Sequence, residues 1–168
     1  IYMVMLCVLL GCSSHETAEQ LEGALYHFYT GRSYASEHKY YDAMEQLLVA
    51  EQMCSGTDKV VLKGQICYYK GELYVKKLDY SNAIEMFSKA LEFYALAGSD
   101  VREYCMFAYE GMAGVYAVNG NPKEAISLYG KPSEMAVQMR SKMLFSPQDS
   151  AVVSKENLFN DALMRYST

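Results

Sequence analysis

One short pattern occurs three times along the chain at nearly constant spacing. The copy at residues 69–94 contains Gly71, Tyr74, Ala83, Phe87 and Ala90. Residues of similar size stand at the same offsets 40 residues earlier (Gly31, Tyr34, Ala43, Leu47 and Ala50) and 42 residues later (Ala113, Tyr116, Ala125, Tyr129 and Pro132). A repeat of this length constrains the fold strongly, because each copy must be one supersecondary unit that buries its apolar face against its neighbours.

The spacing within each copy predicts two helices packed against each other. A glycine inside a helix costs about 1 kcal/mol relative to alanine, so Gly71 needs a packing reason. We expect it to lie where the first helix of the copy closely approaches the second, with a small residue opposite and a tyrosine filling the gap towards the next copy. The predicted repeat-packing residues are Gly31, Tyr34, Ala43, Ala50, Gly71, Tyr74, Ala83, Phe87, Ala90, Ala113, Tyr116 and Ala125.

Capping residues predict where these helices begin and end. Asp79 is placed to cap the second helix of the middle copy. Gly120-Asn121-Pro122 has the order of a C-terminal glycine, an N-cap and a proline in the first helical position. Thr57-Asp58 and Ser99-Asp100 are candidate starts for the first helices of the second and third copies. Gly130-Lys131-Pro132 predicts a break or kink in the last helix of the third copy.

The three aligned strings are YTGRSYASEHKYYDAMEQLLVAEQ, YKGELYVKKLDYSNAIEMFSKALE and YEGMAGVYAVNGNPKEAISLYGKPSE. Their small residues, tyrosines and alanines resemble the tetratricopeptide repeat. The resemblance implies an all-α superhelix of helical hairpins, with three repeats over 23–145 (approximately 24–57, 64–97 and 106–139). Residues 146–168 would then form a capping helix or the start of a fourth, truncated repeat.

In that family the first helix of each repeat lines a concave groove that holds a protein or peptide. The resemblance therefore implies a partner-binding groove formed by Phe28, Arg32, Tyr68, Glu72, Lys76, Phe107 and Glu110. For each aromatic residue, packing between repeats is the alternative. The Lys, Asn and Arg set with which chaperone-binding members hold a terminal carboxylate is absent at the comparable positions.

The N-terminus resembles a bacterial lipoprotein signal peptide. Residues 1–10 form an apolar run, which is too short to span a bilayer but has the length of a signal-peptide core. Leu9-Leu10-Gly11-Cys12 then resembles a lipobox, in which a small residue lets the peptidase reach the bond and the Cys12 thiol carries the lipid. We expect a signal segment at 1–12, a polar tether at 13–22 and a chain that begins and ends inside a longer one.

Composition restricts the other classes of function. Net charge is −5 without a basic cluster, which disfavours nucleic-acid binding. The five cysteines show no metal-ligand spacing, and no phosphate-binding loop or nucleophile elbow occurs. We therefore expect no enzyme activity, cofactor or metal.

The sequence favours a lipid-anchored scaffold that faces the periplasm and binds a protein or peptide. Ser13 favours the outer membrane over the inner one, and the alternative is a cytoplasmic adaptor in which residues 1–12 belong to the fold. A second hypothesis is the sensor part of a longer membrane-spanning transcriptional regulator. A third is a glycan-binding uptake component whose tyrosines stack on sugar rings.

Overall fold

Six helices make up the described part of the chain. The computed structural model describes the backbone of residues 2–54, 59–97 and 101–144, and the side chains from residue 18 to 132 with the same gaps, plus residue 134. Within these residues no strand occurs, and the all-α prediction is confirmed. The helices are α1 (Tyr2–Ser36), α2 (Tyr40–Cys54), α3 (Val60–Lys76), α4 (Tyr80–Leu96), α5 (Arg102–Val118) and α6 (Pro122–Leu144).

Consecutive helices pair into hairpins, α1 with α2, α3 with α4 and α5 with α6. The chain divides into two compact units, Ile1–Ala97 with α1 to α4 and Gly98–Thr168 with α5 and α6. In the first unit α2 also packs against α3, so its two hairpins share a core. That core consists of Ala24, Phe28, Ala43, Leu47, Ala50, Cys54, Leu62, Ile66 and Leu73.

The three hairpins turn in the same way. Each first helix is followed by a residue with positive φ: His38 (62°), Leu78 (61°) and Gly120 (78°). The next backbone N–H donates to the carbonyl of the repeat tyrosine five residues earlier, at 2.9 Å in every hairpin. The donor–acceptor pairs are Lys39–Tyr34, Asp79–Tyr74 and Asn121–Tyr116. This is the Schellman arrangement, so the sequence repeat is matched by a repeated backbone geometry.

Two of the repeat glycines lie where the helices of a hairpin are in close contact. A Cβ on Gly71 would stand 2.7 Å from the ring of Phe87 on α4. On Gly31 it would stand 3.1 Å from the carbonyl oxygen of Ala43 and 3.1 Å from the side chain of Leu47, both on α2. In the first unit, the missing Cβ at Gly31 and Gly71 therefore lets α1 pack closely against α2, and α3 against α4.

Two of the predicted helix ends are confirmed. The Asp79 carboxylate accepts a hydrogen bond from the Asn82 backbone N–H at 3.3 Å, which caps α4. Pro122 is the first residue of α6, directly after the turn at Gly120. The candidate starts at 57–58 and 99–100 lie outside the described residues, and the helices that follow begin at Val60 and Arg102.

The predicted break at Pro132 is wrong, because α6 continues as one helix from Pro122 to Leu144. A proline in a helix removes one backbone hydrogen bond and crowds the carbonyl four residues earlier. Pro132 is fully buried in its unit, so apolar burial of the ring offsets part of that cost. The predicted C-terminal element at 146–168 lies outside the described residues.

Helix α1 begins at Tyr2 and continues to Ser36 through the predicted tether at 13–22. The side chains of residues 2–17, that of Cys12 among them, lie outside the described ones, so the signal segment and the lipidation remain predictions. Within the described residues, none of the helices combines the length and apolarity that crossing a membrane requires.

Candidate functional site

An open cavity of about 600 Å³ lies in the first unit, where the C-terminal part of α1 faces that of α3. We call it the groove. Its floor and walls come from two successive first helices and from the start of α2. The lining residues are Tyr29, Arg32, Ser33, Ala35, Ser36, Tyr40, Tyr68, Tyr69, Glu72, Leu73 and Lys76.

The groove stands directly on the core of the unit. Leu73 contributes to both, and it is buried at 2% exposure. Phe28 is likewise 2% exposed, and its ring centroid lies 5.6 Å from that of Tyr69 in an edge-to-face contact. The ring of Tyr68 packs against that of Phe87 on α4, with 5.6 Å between the ring centroids. The aromatic walls are therefore fixed from below by packed side chains.

Arg32 is held among three aromatic rings. Its guanidinium carbon lies 4.9 Å from the ring centroid of Tyr69, 5.7 Å from that of Phe28 and 5.8 Å from that of Tyr29. Such contacts attract the cation to the ring faces and restrict the side chain. Within the described part of the chain no carboxylate forms an ion pair with Arg32, so its N–H donors remain available to a ligand.

The charges around the groove differ from those of the whole chain. Arg32 and Lys76 contribute two positive charges and Glu72 one negative charge. Glu72 is already engaged in an interaction within the protein. The chain as a whole carries −5, so the groove is a locally cationic surface on an acidic protein. Hydroxyl groups of four tyrosines and two serines also line it: Tyr29, Tyr40, Tyr68, Tyr69, Ser33 and Ser36.

The structure brings four of the seven sequence-predicted groove residues into this one cavity: Arg32, Tyr68, Glu72 and Lys76. Phe28 does not line it, because its ring belongs to the buried core. Phe107 and Glu110 lie on α5 in the second unit.

Sequence reasoning missed Tyr29 and Tyr69, which stand next in the chain to the chosen Phe28 and Tyr68. One residue rotates a helical position by about 100°, so the spacing alone could not separate floor from wall. The copies do carry a signal, since Tyr29 and Tyr69 are related by the same 40-residue shift as Gly31 and Gly71.

Outside the groove, two buried cysteines and one histidine are held within the fold. Cys54 and Cys67 are buried, and burial, with a smaller contribution from the nearby Glu51 charge, raises the pKa of the Cys67 thiol to about 11. His27 shares a 2.7 Å hydrogen bond with Gln46 on the neighbouring helix. No group of three possible metal ligands occurs among the described residues.

Fold and groove together define a class of protein, a domain of helical hairpins in repeated arrangement. Beyond that class, no family model matches the chain, and no curated protein does either. What the chain binds must therefore be argued from the chemistry of its own groove.

Proposed function

We propose that the chain is a tetratricopeptide-like interaction scaffold that holds a protein or peptide segment in the groove of its first unit. The observation that carries this proposal is Arg32, which is fixed among three rings at the groove without a carboxylate partner in the described part of the chain. Arginine and tyrosine are among the residues that most often dominate binding energy at protein interfaces.

The walls of the groove suit a peptide because they are preorganised. Aromatic side chains offer large contact areas with few rotatable bonds, so little conformational entropy is lost on binding. The packing of Tyr68 and Tyr69 on buried rings reduces that loss further. Serine and tyrosine hydroxyls along the same surface can hydrogen-bond a peptide backbone.

The scaffold would be attached to the bacterial cell envelope by a lipid on Cys12. Support comes from the sequence, in which an apolar run ends at Leu9-Leu10-Gly11-Cys12 and a polar stretch follows. In this proposal the lipid keeps the domain at a membrane surface facing the periplasm, and the groove recruits the partner.

Peptide selection tests the groove. The chain is immobilised and panned against a phage-displayed library of random heptapeptides, in parallel with two variants. Ser33→Trp places a bulky ring in the groove at an exposed position, and Ser81→Trp makes the same change at an exposed position of α4 outside it. We expect related sequences to be enriched on the native chain and on Ser81→Trp and to be lost on Ser33→Trp. No enrichment on the native chain would contradict the proposal.

Membrane retention tests the anchor. The complete gene is expressed in a bacterial host with Cys12→Ala or, as the matched control, Cys7→Ala within the apolar run. We expect Cys12→Ala to abolish acylation and to release the protein from the membrane fraction. Cys7→Ala should leave the protein in the membrane fraction, with an N-terminus at Cys12 and added acyl mass. Unprocessed native protein without acyl mass would reject the anchor but not the groove.

A further inference from the structure

We infer that the segment held in the groove is acidic, with carboxylate side chains that pair with Arg32 and Lys76 and a large apolar side chain that packs on the tyrosines. This inference rests on the proposed function and deepens it. The groove holds an internal stretch of a partner protein that is about four residues long.

Charge complementarity selects the acidic occupant. Arg32 on α1 and Lys76 on α3 both line the groove, and neither forms an ion pair with a carboxylate within the described residues. The single carboxylate of the lining, Glu72, takes part in an interaction within the protein. Two cations without a carboxylate partner among the described residues, in a cavity lined by tyrosines, suit an anionic ligand and repel a basic one.

The shape of the Arg32 side chain adds geometric selectivity. A guanidinium presents its N–H donors in one plane, where a carboxylate accepts two parallel hydrogen bonds. The contact with Tyr69, at 4.9 Å, links this cation to the aromatic wall. An acidic side chain that reaches Arg32 therefore brings its neighbouring residue onto that wall.

The dimensions of the groove set the length of the segment. Its lining spans residues 29–36 of α1 and 68–76 of α3. At 1.5 Å per helical residue these stretches measure about 10 to 12 Å. An extended peptide advances about 3.3 Å per residue, so the groove accommodates about four residues.

Side-chain carboxylates fit better than a single terminal carboxylate. The two cations stand on different helices, and tyrosines line the groove alongside both. A chain terminus supplies one anionic group, whereas an acidic stretch supplies one for each cation and an apolar side chain between them.

The composition of the selected peptides tests the inference. In the heptapeptide library each peptide is fused through its C-terminus to the coat protein, so no free peptide carboxylate is present. Panning is repeated on Arg32→Glu/Lys76→Glu and on the control Lys89→Glu, an exposed cation of α4 outside the groove. Lys76→Gln, which changes only an exposed side chain, guards against loss of folding in the double variant.

We expect the native chain and Lys89→Glu to enrich Asp or Glu beside an aromatic or large aliphatic residue. The double variant should lose the acidic residues or replace them with Lys or Arg. A synthetic peptide of the enriched sequence should bind the double variant at least about tenfold more weakly, and Lys76→Gln severalfold more weakly, with Lys89→Glu unchanged.

Enrichment of neutral or basic peptides on the native chain would overturn the inference and leave the proposed function standing. The same holds if acidic peptides bind equally well to the double variant, because the two groove cations would then play no part. Failure to enrich any peptide would reject the proposed function itself.

Discussion

Gly71 lies where α3 packs so closely against α4 that there is no room for a methyl group. We predict that Gly71→Ala destabilises the chain, because the new methyl group would stand 2.7 Å from the ring of Phe87, which is fully buried and would have to shift within the packed core. Overpacking costs about 1 to 3 kcal/mol and alanine regains about 1 kcal/mol of helix propensity, which leaves a loss of up to about 2 kcal/mol. Urea denaturation followed by circular dichroism measures it.

Gly114 provides the control for Gly71. It lies inside α5, which has 17 residues like α3, and a Cβ there would meet only the Tyr129 hydroxyl at 3.9 Å. Gly114→Ala should therefore stabilise its unit by up to about 1 kcal/mol, since only the propensity gain remains. A stabilising Gly71→Ala would show that the two helices do not depend on that close approach.

Among the elements, the turns carry avoidable strain. Leu78 has φ of 61°, a conformation that costs a residue with a Cβ about 1 to 2 kcal/mol. Leu78→Gly should raise the free energy of unfolding by about 1 kcal/mol, because the equivalent turn at Gly120 is built with glycine and the Leu78 side chain is 72% exposed. Thermal and urea denaturation report the gain.

Leu96→Gly is the matched substitution for that prediction. Leu96 is also 72% exposed, but it is the last residue of α4 and has a right-handed helical backbone. Glycine there should cost up to about 1 kcal/mol. Equal effects of the two substitutions would mean that the sign of φ does not decide the outcome.

The contact between α2 and α3 contains an ion pair with one buried side chain, Lys70, and one that is about half exposed, Glu51. Lys70 Nζ donates to Glu51 Oε2 at 2.7 Å, with side-chain exposures of 8% and 45%. Glu51→Ala should cost about 3 kcal/mol because it leaves an ammonium group buried without its partner. Lys70→Met should change stability by less than about 1 kcal/mol, since the remaining carboxylate is in contact with water.

The surface pair Lys89–Glu85 calibrates this comparison. Its distance is also 2.7 Å, but both side chains are about half exposed, at 48% and 55%. Glu85→Ala should therefore cost no more than about 0.5 kcal/mol, measured by urea denaturation beside the other variants. A cost for Glu51→Ala as small as that for Glu85→Ala would show that the Lys70–Glu51 pair does not hold the two hairpins together.

Sequence periodicity predicted the elements better than their exact ends. Small residues and tyrosines at a fixed shift were enough for the helical hairpins, because that spacing reflects contacts inside one hairpin. The continuity of α6 through Pro132 could not be predicted from the local sequence, because the burial of the proline ring is a property of the packed unit. The left-handed turns at His38 and Leu78 were also missed, since leucine rarely adopts positive φ and histidine, although enriched there among non-glycine residues, is a weak signal beside glycine.

For the molecule as a whole, some of the predicted groove residues lie together in the cavity of the first unit, and the others lie in the core or on α5. Arg32, Tyr68, Glu72 and Lys76 meet in one cavity, whereas Phe28 lies beneath it. A helical position next to a groove residue can be floor or wall, and only packing between helices decides which. The lipid anchor at Cys12 is part of the proposed function and stays a prediction.

Site-specific photocrosslinking in cells tests most directly that the groove is the surface that holds the partner. Benzoylphenylalanine replaces Tyr29, which lines the groove at 58% exposure, or Tyr41, which is 81% exposed and does not line it. We expect a discrete crosslinked partner from position 29 and none from position 41. The product at position 29 should be lost when Ser33→Trp is added. Crosslinks from Tyr41 alone, or a product at position 29 that survives Ser33→Trp, would contradict it.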